Sequence, residues 1–178
     1  FAAGVVALLG IAAAEVLAQD ALRYCEAGNE TNAWQALRAT AETSQGSLKF
    51  RQEGSGNGFL FPRGARLRQT VAAEAELVAV KRLADSGWSF SGVTLYQDDE
   101  NYWMLSLVEG PDGTRSVDFL ENHAGVWQAQ NATATALKRE GSVSFAWKSG
   151  TAYRLRLALE NGQVTARVSD AADGRVLG

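Results

Sequence analysis

Residues 88 to 108 read WSFSGVTLYQDDENYWMLSLV, and this stretch decides the fold. Apolar residues largely alternate with small or polar ones in Trp88–Tyr96, and Asn101–Val108 is a mostly apolar segment interrupted by Ser106. Alternation over four to eight residues indicates a half-buried strand. The polar sequence Asp98-Asp99-Glu100 between the two segments is typical of a turn. The stretch therefore predicts two adjacent strands joined by a turn.

Eight further segments have the same character, and residues typical of turns separate them. The Asn161-Gly162 pair is the clearest of these separators, because both residues tolerate positive φ in a two-residue hairpin turn. About ten strands with turns every 8–12 residues predict an all-β fold, a two-sheet antiparallel β-sandwich or jelly roll. The further predicted strands are Ser47–Phe50, Gly58–Phe61, Glu74–Lys81, Thr114–Leu120, Val126–Gln130, Ser142–Trp147, Tyr153–Leu159 and Gln163–Val168.

Composition excludes several classes of protein. The 178 residues fit one domain, and 46% hydrophobic residues with five tryptophans suffice for a core. A net charge of −3 with scattered Lys and Arg gives no nucleic-acid footprint. Cys25 is the only cysteine, so neither an intrachain disulfide nor a multi-cysteine zinc site can form. No Gly-rich phosphate loop precedes a helix, which leaves nucleotide binding without support.

The first residues predict a targeting segment. The apolar run Ala2–Ala14 is shorter than the roughly 20 residues that span a bilayer, but it matches a signal-peptide core. Small residues at the −3 and −1 positions, the latter being Ala18, are typical of a signal-peptide cleavage site. Residues 1–18 are therefore interpreted as a signal-peptide remnant, with a buried N-terminal helix as the alternative. This predicts a secreted or periplasmic protein, with no stable membrane span in its mature form.

The rest of the chain divides into a leader and a sandwich domain. Residues 19–46 are polar and Ala-rich, with a helical tendency around Asn32 to Glu42. The period of two begins at Ser47, so we assign 47–178 to the sandwich. Arg175–Gly178 begins what reads as another strand, which predicts that the domain continues beyond it.

Two hairpins resemble parts of a known family. The stretch 88–108 is similar to the central hairpin of concanavalin-A-like and laminin-G-like domains, including those of bacterial secreted glycan-processing proteins. The hairpin 152–168 is similar to a later segment of the same fold. The resemblance covers about residues 45 to 178, and it implies a jelly-roll sandwich. That fold hosts lectins, hydrolases, lyases and adhesion modules, so it does not choose among them.

The segment Ser116–Glu121, SVDFLE, resembles a catalytic strand of laminarinase-type β-glucanases, E-x-D-x-x-E. The resemblance implies roles for Asp118 and Glu121, with Glu121 as the acid/base, whereas Ser116 replaces the nucleophile. Returning the last Glu to the face of the Asp requires a β-bulge. Since serine cannot form the glycosyl ester, we expect no retaining glycosidase activity. An ordinary strand followed by a turn is the simpler interpretation.

Aromatic residues near strand ends are candidates for sugar binding, because a ring face matches the apolar C–H face of a pyranose, although most aromatics in a sandwich are core. The ligand-binding candidates are Tyr96, Gln97, Trp103 and Trp127. We expect no cofactor, with calcium as the alternative, because oxygen donors crowd one turn. The alternative metal ligands are Asp98, Asp99 and Asn101.

Two functions of different classes follow from these residues. The first is a secreted module that binds a glycan or another extracellular ligand. The second is a carbohydrate-active enzyme, a glycoside hydrolase or polysaccharide lyase. An enzyme needs at least two titratable groups that converge in one cleft, whereas a binding module needs exposed aromatics. The candidate acid/base groups are Glu109, Asp118, Glu121 and His123.

Export predicts a processed N-terminus. N-terminal sequencing of the exported, folded protein should begin at Gln19, because cleavage follows Ala18. Recovery of an intact Phe1 in folded protein would contradict the prediction and favour an N-terminal segment that stays in the fold.

Overall fold

The computed structural model describes residues 5–10, 34–44, 47–53, 56–63, 71–82, 87–128 and 145–178. These residues form twelve strands and contain no helix. Within these ranges, no helical segment has the length and apolar character needed to cross a membrane. The strands are β1 (Val5–Gly10), β2 (Trp34–Leu37), β3 (Ala39–Ser44), β4 (Ser47–Gln52), β5 (Phe59–Pro62), β6 (Val71–Arg82), β7 (Ser89–Asp98), β8 (Asn101–Glu109), β9 (Arg115–His123), β10 (Val126–Gln128), β11 (Ala152–Glu160) and β12 (Gln163–Asp170).

The strands form three antiparallel sheets. A six-stranded sheet has the order β12-β11-β6-β1-β4-β3, a four-stranded sheet the order β10-β9-β8-β7, and β2 pairs with β5 in a two-stranded ribbon. The two larger sheets share one apolar core, to which β6, β7, β8, β9, β11 and β12 all contribute buried side chains. The all-β antiparallel prediction is confirmed, and two sheets packed on one core are consistent with a β-sandwich.

Strand β8 is buried on both faces. Leu105 and Leu107, each 1% exposed, point into the core shared with the six-stranded sheet. Met104 and Val108 point the other way and pack in a second cluster with Phe59 of the ribbon. Successive side chains of a strand face opposite sides, so one apolar strand contributes to both clusters. The molecule therefore has three layers at this point, with the four-stranded sheet in the middle.

The segment before β11 closes the shared core without forming a strand. Trp147 is buried, and its indole N–H donates to the carbonyl of Val108 at 2.8 Å. The guanidinium of Arg115 stacks on the Trp147 ring at 4.6 Å and pairs with Glu109. The predicted strand Ser142–Trp147 is wrong for its described part, since residues 145 to 147 are not in a strand. Residues 142 to 144 lie outside the described ranges.

The hairpins that the sequence predicted are present. Strands β7 and β8 pair from Ser89 with Glu109 to Asp98 with Asn101, with one irregularity near the turn. Strands β11 and β12 pair through Asn161 and Gly162, whose φ values are 52° and 76°. Two consecutive positive φ values are those of a type I′ turn, whose twist matches that of the strands it joins.

The helical tendency expected around Asn32 to Glu42 is wrong for residues 34 to 42. This segment forms β2 and β3, which pair with β5 and β4. Helix propensity is weak compared with cross-strand pairing and burial, and Trp34 is 7% exposed in its strand. The rest of the expected leader, residues 19 to 33, lies outside the described part of the chain.

The first strand occupies a central place in the six-stranded sheet. Strand β1 pairs with β4 on one side and with β6 on the other. It falls within residues 1–18, the segment that the sequence predicts to be removed. Processing after Ala18 would take away the strand that joins β4 to β6. The N-terminal sequence of the folded protein therefore distinguishes cleavage after Ala18 from retention of β1 in the sheet.

Gly92 in β7 is required by a close approach of two backbones. A Cβ atom at this position would lie 1.9 Å from the carbonyl oxygen of Leu105 and 2.6 Å from the hydroxyl of Ser106. Gly92→Ala should therefore lower the free energy of unfolding by about 3 kcal/mol, as expected for a steric clash within a packed sheet. Urea denaturation measures the loss.

Ser91→Ala is the matched control. The Ser91 hydroxyl is buried without a hydrogen-bond partner, so its removal should leave stability unchanged or raise it. Equal stabilities of Gly92→Ala and Ser91→Ala would contradict the close approach.

Candidate ligand-binding face

The face of the four-stranded sheet that looks away from the shared core carries the candidate site. Cross-strand pairing aligns its side chains in four rows. The row at the end of β7 contains Tyr96, Tyr102, Asn122 and Trp127, and is called the aromatic end below. The next row contains Thr94, Met104 and Leu120.

The two remaining rows complete this face. The third row contains Gly92, Ser106 and Asp118, and we call it the polar row. The last contains Phe90, Val108 and Ser116. The hydroxyl of Ser116 donates to Asp118 at 3.2 Å, so the polar character extends into the last row. Polar groups thus lie between two sets of apolar side chains.

This face is concave. Phe90 and Trp127 stand in the first and last of the four rows and on the two outer strands, yet their ring centroids are 5.9 Å apart. On a flat sheet, with about 3.3 Å per residue and about 4.8 Å between strands, their Cα atoms would be roughly 24 Å apart. Two side chains do not span that distance, so the sheet must curl toward this face. Gly92 allows β7 to bend closely over β8.

The ribbon covers the aromatic end of the concave face. The ring centroids of Phe59 and Phe61 in β5 lie 4.9 and 4.7 Å from that of Tyr96. Phe59 also meets the edge of Tyr102, which is only 8% exposed. Trp127 contacts Tyr102 at 5.8 Å but remains 40% exposed. Trp127 is therefore the aromatic ring of this face that is most open to a ligand.

An ion pair fastens the ribbon to the β7–β8 turn. Arg38, at the β2–β3 junction with φ 51°, donates two hydrogen bonds to the Asp99 carboxylate, at 2.7 and 3.0 Å. Its Nε donates to the carbonyl of Asn57, and the Asn57 amide donates to the hydroxyl of Tyr102. Tyr96 donates to the same carboxylate at 2.9 Å. We call these five residues the latch.

Ionisation within the latch is tuned by these contacts. The hydrogen bond from Arg38 holds the pKa of Asp99 below its usual range, and the hydroxyl of Tyr96 acts in the same direction. Burial, followed by the hydrogen bond to Asp99, raises the pKa of Tyr96 to about 12. At neutral pH the latch therefore holds a charged carboxylate and a protonated phenol.

The two candidate catalytic carboxyl groups are not brought together. Strands β8 and β9 pair without interruption from Tyr102 with Asn122 to Glu109 with Arg115, so the bulge that the glucanase arrangement requires is not present. Asp118 therefore lies on the concave face and Glu121 on the opposite one. Glu121 is 2% exposed and accepts a hydrogen bond from the Trp103 indole at 3.0 Å.

The other two acid/base candidates lie elsewhere. Glu109 pairs with Arg115 at the far end of the β8–β9 ladder from Glu121. His123 is exposed at the end of β9. The strand pairing thus separates Asp118 from Glu121 by the sheet itself and places Glu109 at the other end of the ladder.

The four ligand-binding candidates are divided between the faces. Tyr96 and Trp127 lie on the concave face and both contact Tyr102. Trp103 packs against the core between the two large sheets. Gln97 is exposed at the end of β7 and bonds weakly to Asp98 at 3.4 Å. Only Tyr96 and Trp127 are thus in position to act together.

The oxygen donors considered for calcium bond to the protein itself. Asp98 accepts from the Glu100 backbone and from the Asn101 amide, both at 2.9 Å, and the Asn101 bond is the main cause of its lowered pKa. Asn101 accepts from the Ala124 backbone, and Asp99 belongs to the latch. In the described ranges, no group of three or more His, Cys, Asp or Glu side chains is arranged to hold a metal ion.

Sequence reasoning missed Phe90, Gly92 and Ser106 as members of the site. Phe90 and Gly92 lie four and two residues before Thr94, and Ser106 lies two residues after Met104, so an even spacing places them on the same face of their strands. Their importance arises only from the curvature of the sheet, which no local pattern reports.

The contribution of the latch to stability should fall at both alkaline and acid pH. Tyr96 holds its proton more tightly in the folded state, so its stabilising effect is present below the ordinary tyrosine pKa of about 10 and lost as the pH rises toward 12. The effect of Asp99 is present above the ordinary aspartate pKa of about 3.9 and lost as the pH falls through its lower folded value.

We therefore expect the difference in Tm between wild type and Tyr96→Phe to be constant from about pH 5 to 9 and to shrink outside that range. Thermal unfolding followed by circular dichroism measures it. Tyr153→Phe is the control at the acid end, because its hydroxyl bonds to the backbone N–H of Lys148 rather than to a carboxylate. A Tyr96→Phe difference that does not change at low pH would contradict the role of Asp99.

The chain matches no family model, no curated protein and no solved structure. What is known of its site therefore comes from its own strand pairing and side-chain contacts. Those contacts describe a curved sheet face with an exposed tryptophan, a polar row and no converging pair of the candidate carboxyl groups.

Proposed function

We propose that this protein is a secreted or periplasmic β-sandwich module that binds a glycan, and that the concave face of the four-stranded sheet is its binding surface. We place the fold in the concanavalin-A-like and laminin-G-like class. Two antiparallel sheets on one core and the curvature of one of them support this assignment.

The observation that carries the proposal is the position of Trp127. Its ring is 40% exposed and stands at the rim of a concave face whose floor contains hydroxyl and carboxylate groups. A sugar presents an apolar C–H face and a periphery of hydroxyls, so it needs an aromatic plane beside a few placed polar groups. The concave face offers both.

The placement of the carboxyl groups favours binding over catalysis. A retaining glycosidase needs two carboxyl groups about 5–5.5 Å apart on one side of the sugar. Asp118 and Glu121 lie on opposite faces of β9, and Ser116 occupies the position of the nucleophile. The carbohydrate-active enzyme is therefore the second candidate, and the experiment below tests it too.

Binding is tested by titration calorimetry of the full chain with hexasaccharides of β-1,3-glucan, β-1,4-glucan, β-1,4-xylan and β-1,4-mannan. The wild type should bind at least one of them. Trp127→Ala should weaken that binding about tenfold, because one stacking contact of this kind is worth about 1 kcal/mol or slightly more. Failure of the wild type to bind any of the four would overturn the proposal.

Trp88→Ala is the matched control. Trp88 is 50% exposed, but it lies beside Gly110 rather than in the aromatic cluster. Its replacement should change the affinity less than about twofold. A loss in Trp88→Ala with none in Trp127→Ala would place the binding surface elsewhere. Release of reducing ends by the wild type that disappears in Glu121→Gln would establish the enzyme instead.

A further inference from the structure

The polar row contains a buried hydroxyl that has no hydrogen-bond partner. Ser106 is 0% exposed, and its Oγ has no hydrogen-bond partner. A buried hydroxyl without a partner has given up its hydrogen bonds to water without replacing them, and such groups in native proteins call for an explanation. An alanine at this position would avoid that cost.

The surroundings of Ser106 are unusual for the middle of a sheet. On one side, its cross-strand neighbour Gly92 has no side chain, and a Cβ atom there would approach the Ser106 hydroxyl to 2.6 Å. On the other side, its cross-strand neighbour is Asp118. The row therefore places a hydroxyl beside a carboxylate, and the backbone of β8 fills the space that a side chain at Gly92 would take.

An indole lies above this part of the face. Trp127 contacts Tyr102 in the first row and Phe90 in the last, at 5.8 and 5.9 Å. The polar row is one row from Phe90, so a ring that touches both ends extends across it. Because Trp127 is 40% exposed, it can move outward without leaving a packed core.

We propose that Ser106 is a specificity-determining residue of the glycan site, and that it hydrogen-bonds one ligand hydroxyl admitted when the Trp127 ring moves away from Phe90. The ligand class is a neutral, hydroxyl-rich ring. Its hydroxyl donates to the Asp118 carboxylate and accepts from Ser106. The inference rests on the glycan binding proposed above and adds to it the group that distinguishes one sugar from another.

Ser91 provides a close control for the test. Its hydroxyl is also buried and without a partner, but it lies on the opposite face of β7, toward the shared core. Ser106→Ala and Ser91→Ala therefore remove the same group, with the same expected effect on stability, from the two sides of one sheet. Urea denaturation should show both variants at least as stable as the wild type.

The affinity for the tightest-binding hexasaccharide of the panel is then measured by calorimetry. Ser106→Ala should lose affinity by roughly three- to tenfold, the range expected for one hydrogen bond, whereas Ser91→Ala should bind like the wild type. Ser106→Cys, whose thiol is a weak hydrogen-bonding group, should also lose affinity and is the second variant if Ser106→Ala does not fold.

The outcomes separate the two proposals. If the wild type binds, Trp127→Ala binds about tenfold more weakly, and Ser106→Ala matches Ser91→Ala, the glycan site stands and the role of Ser106 is overturned. If Ser106→Ala and Ser91→Ala weaken binding equally, the effect is general and the role of Ser106 is again overturned. If the wild type binds none of the hexasaccharides, the proposed function fails, and this inference fails with it.

Discussion

Burial of β8 on both faces is the constraint on which the rest of the structure depends. Leu105 and Leu107 enter one core while Met104 and Val108 enter another, and burial of each such side chain contributes about 1.5–3 kcal/mol. An exposed ion pair such as that between Arg38 and Asp99 contributes only about 0.2–1 kcal/mol. Apolar burial therefore holds the layers together, and the latch orients the ribbon on them.

The same constraint explains why the ligand face is half covered. A central strand with two apolar faces needs a partner on each, and the six-stranded sheet supplies only one. The ribbon supplies the second at the aromatic end, where Phe59 packs on Tyr102. Toward β10 the concave face stays open at Trp127. The polar row is buried at Ser106, and the Trp127 ring, which contacts Tyr102 and Phe90, lies across it.

The polar row is a local departure from what stability alone favours. Glycine weakens a strand interior, and an unpartnered hydroxyl is costly where it is fully buried. Gly92 and Ser106 are cross-strand neighbours, so the two costs fall at one point. Departures of this kind concentrate at functional sites. Here they coincide with the concave face that an exposed tryptophan borders.

The geometry also shows how little a sequence motif says about chemistry. Asp118 and Glu121 match two positions of the glucanase pattern, but residues three apart in an unbroken strand point to opposite faces. Only a bulge would bring them together, and bulges depend on the partner strand rather than on the spacing itself. The continuous pairing of β9 with β8 decides the question for this chain.

The sequence by itself determined the all-β class, the β7–β8 and β11–β12 hairpins, and the sets of residues that share a face, because these follow from the period of two and from turn chemistry. Tertiary structure alone decided that residues 34 to 42 form strands, that Trp103 faces a core while Trp127 faces outward, and that Phe90 reaches Trp127. The reason is physical: alternation states which side chains lie together, whereas the layer that covers them and the curvature of the sheet depend on contacts between segments distant in the chain.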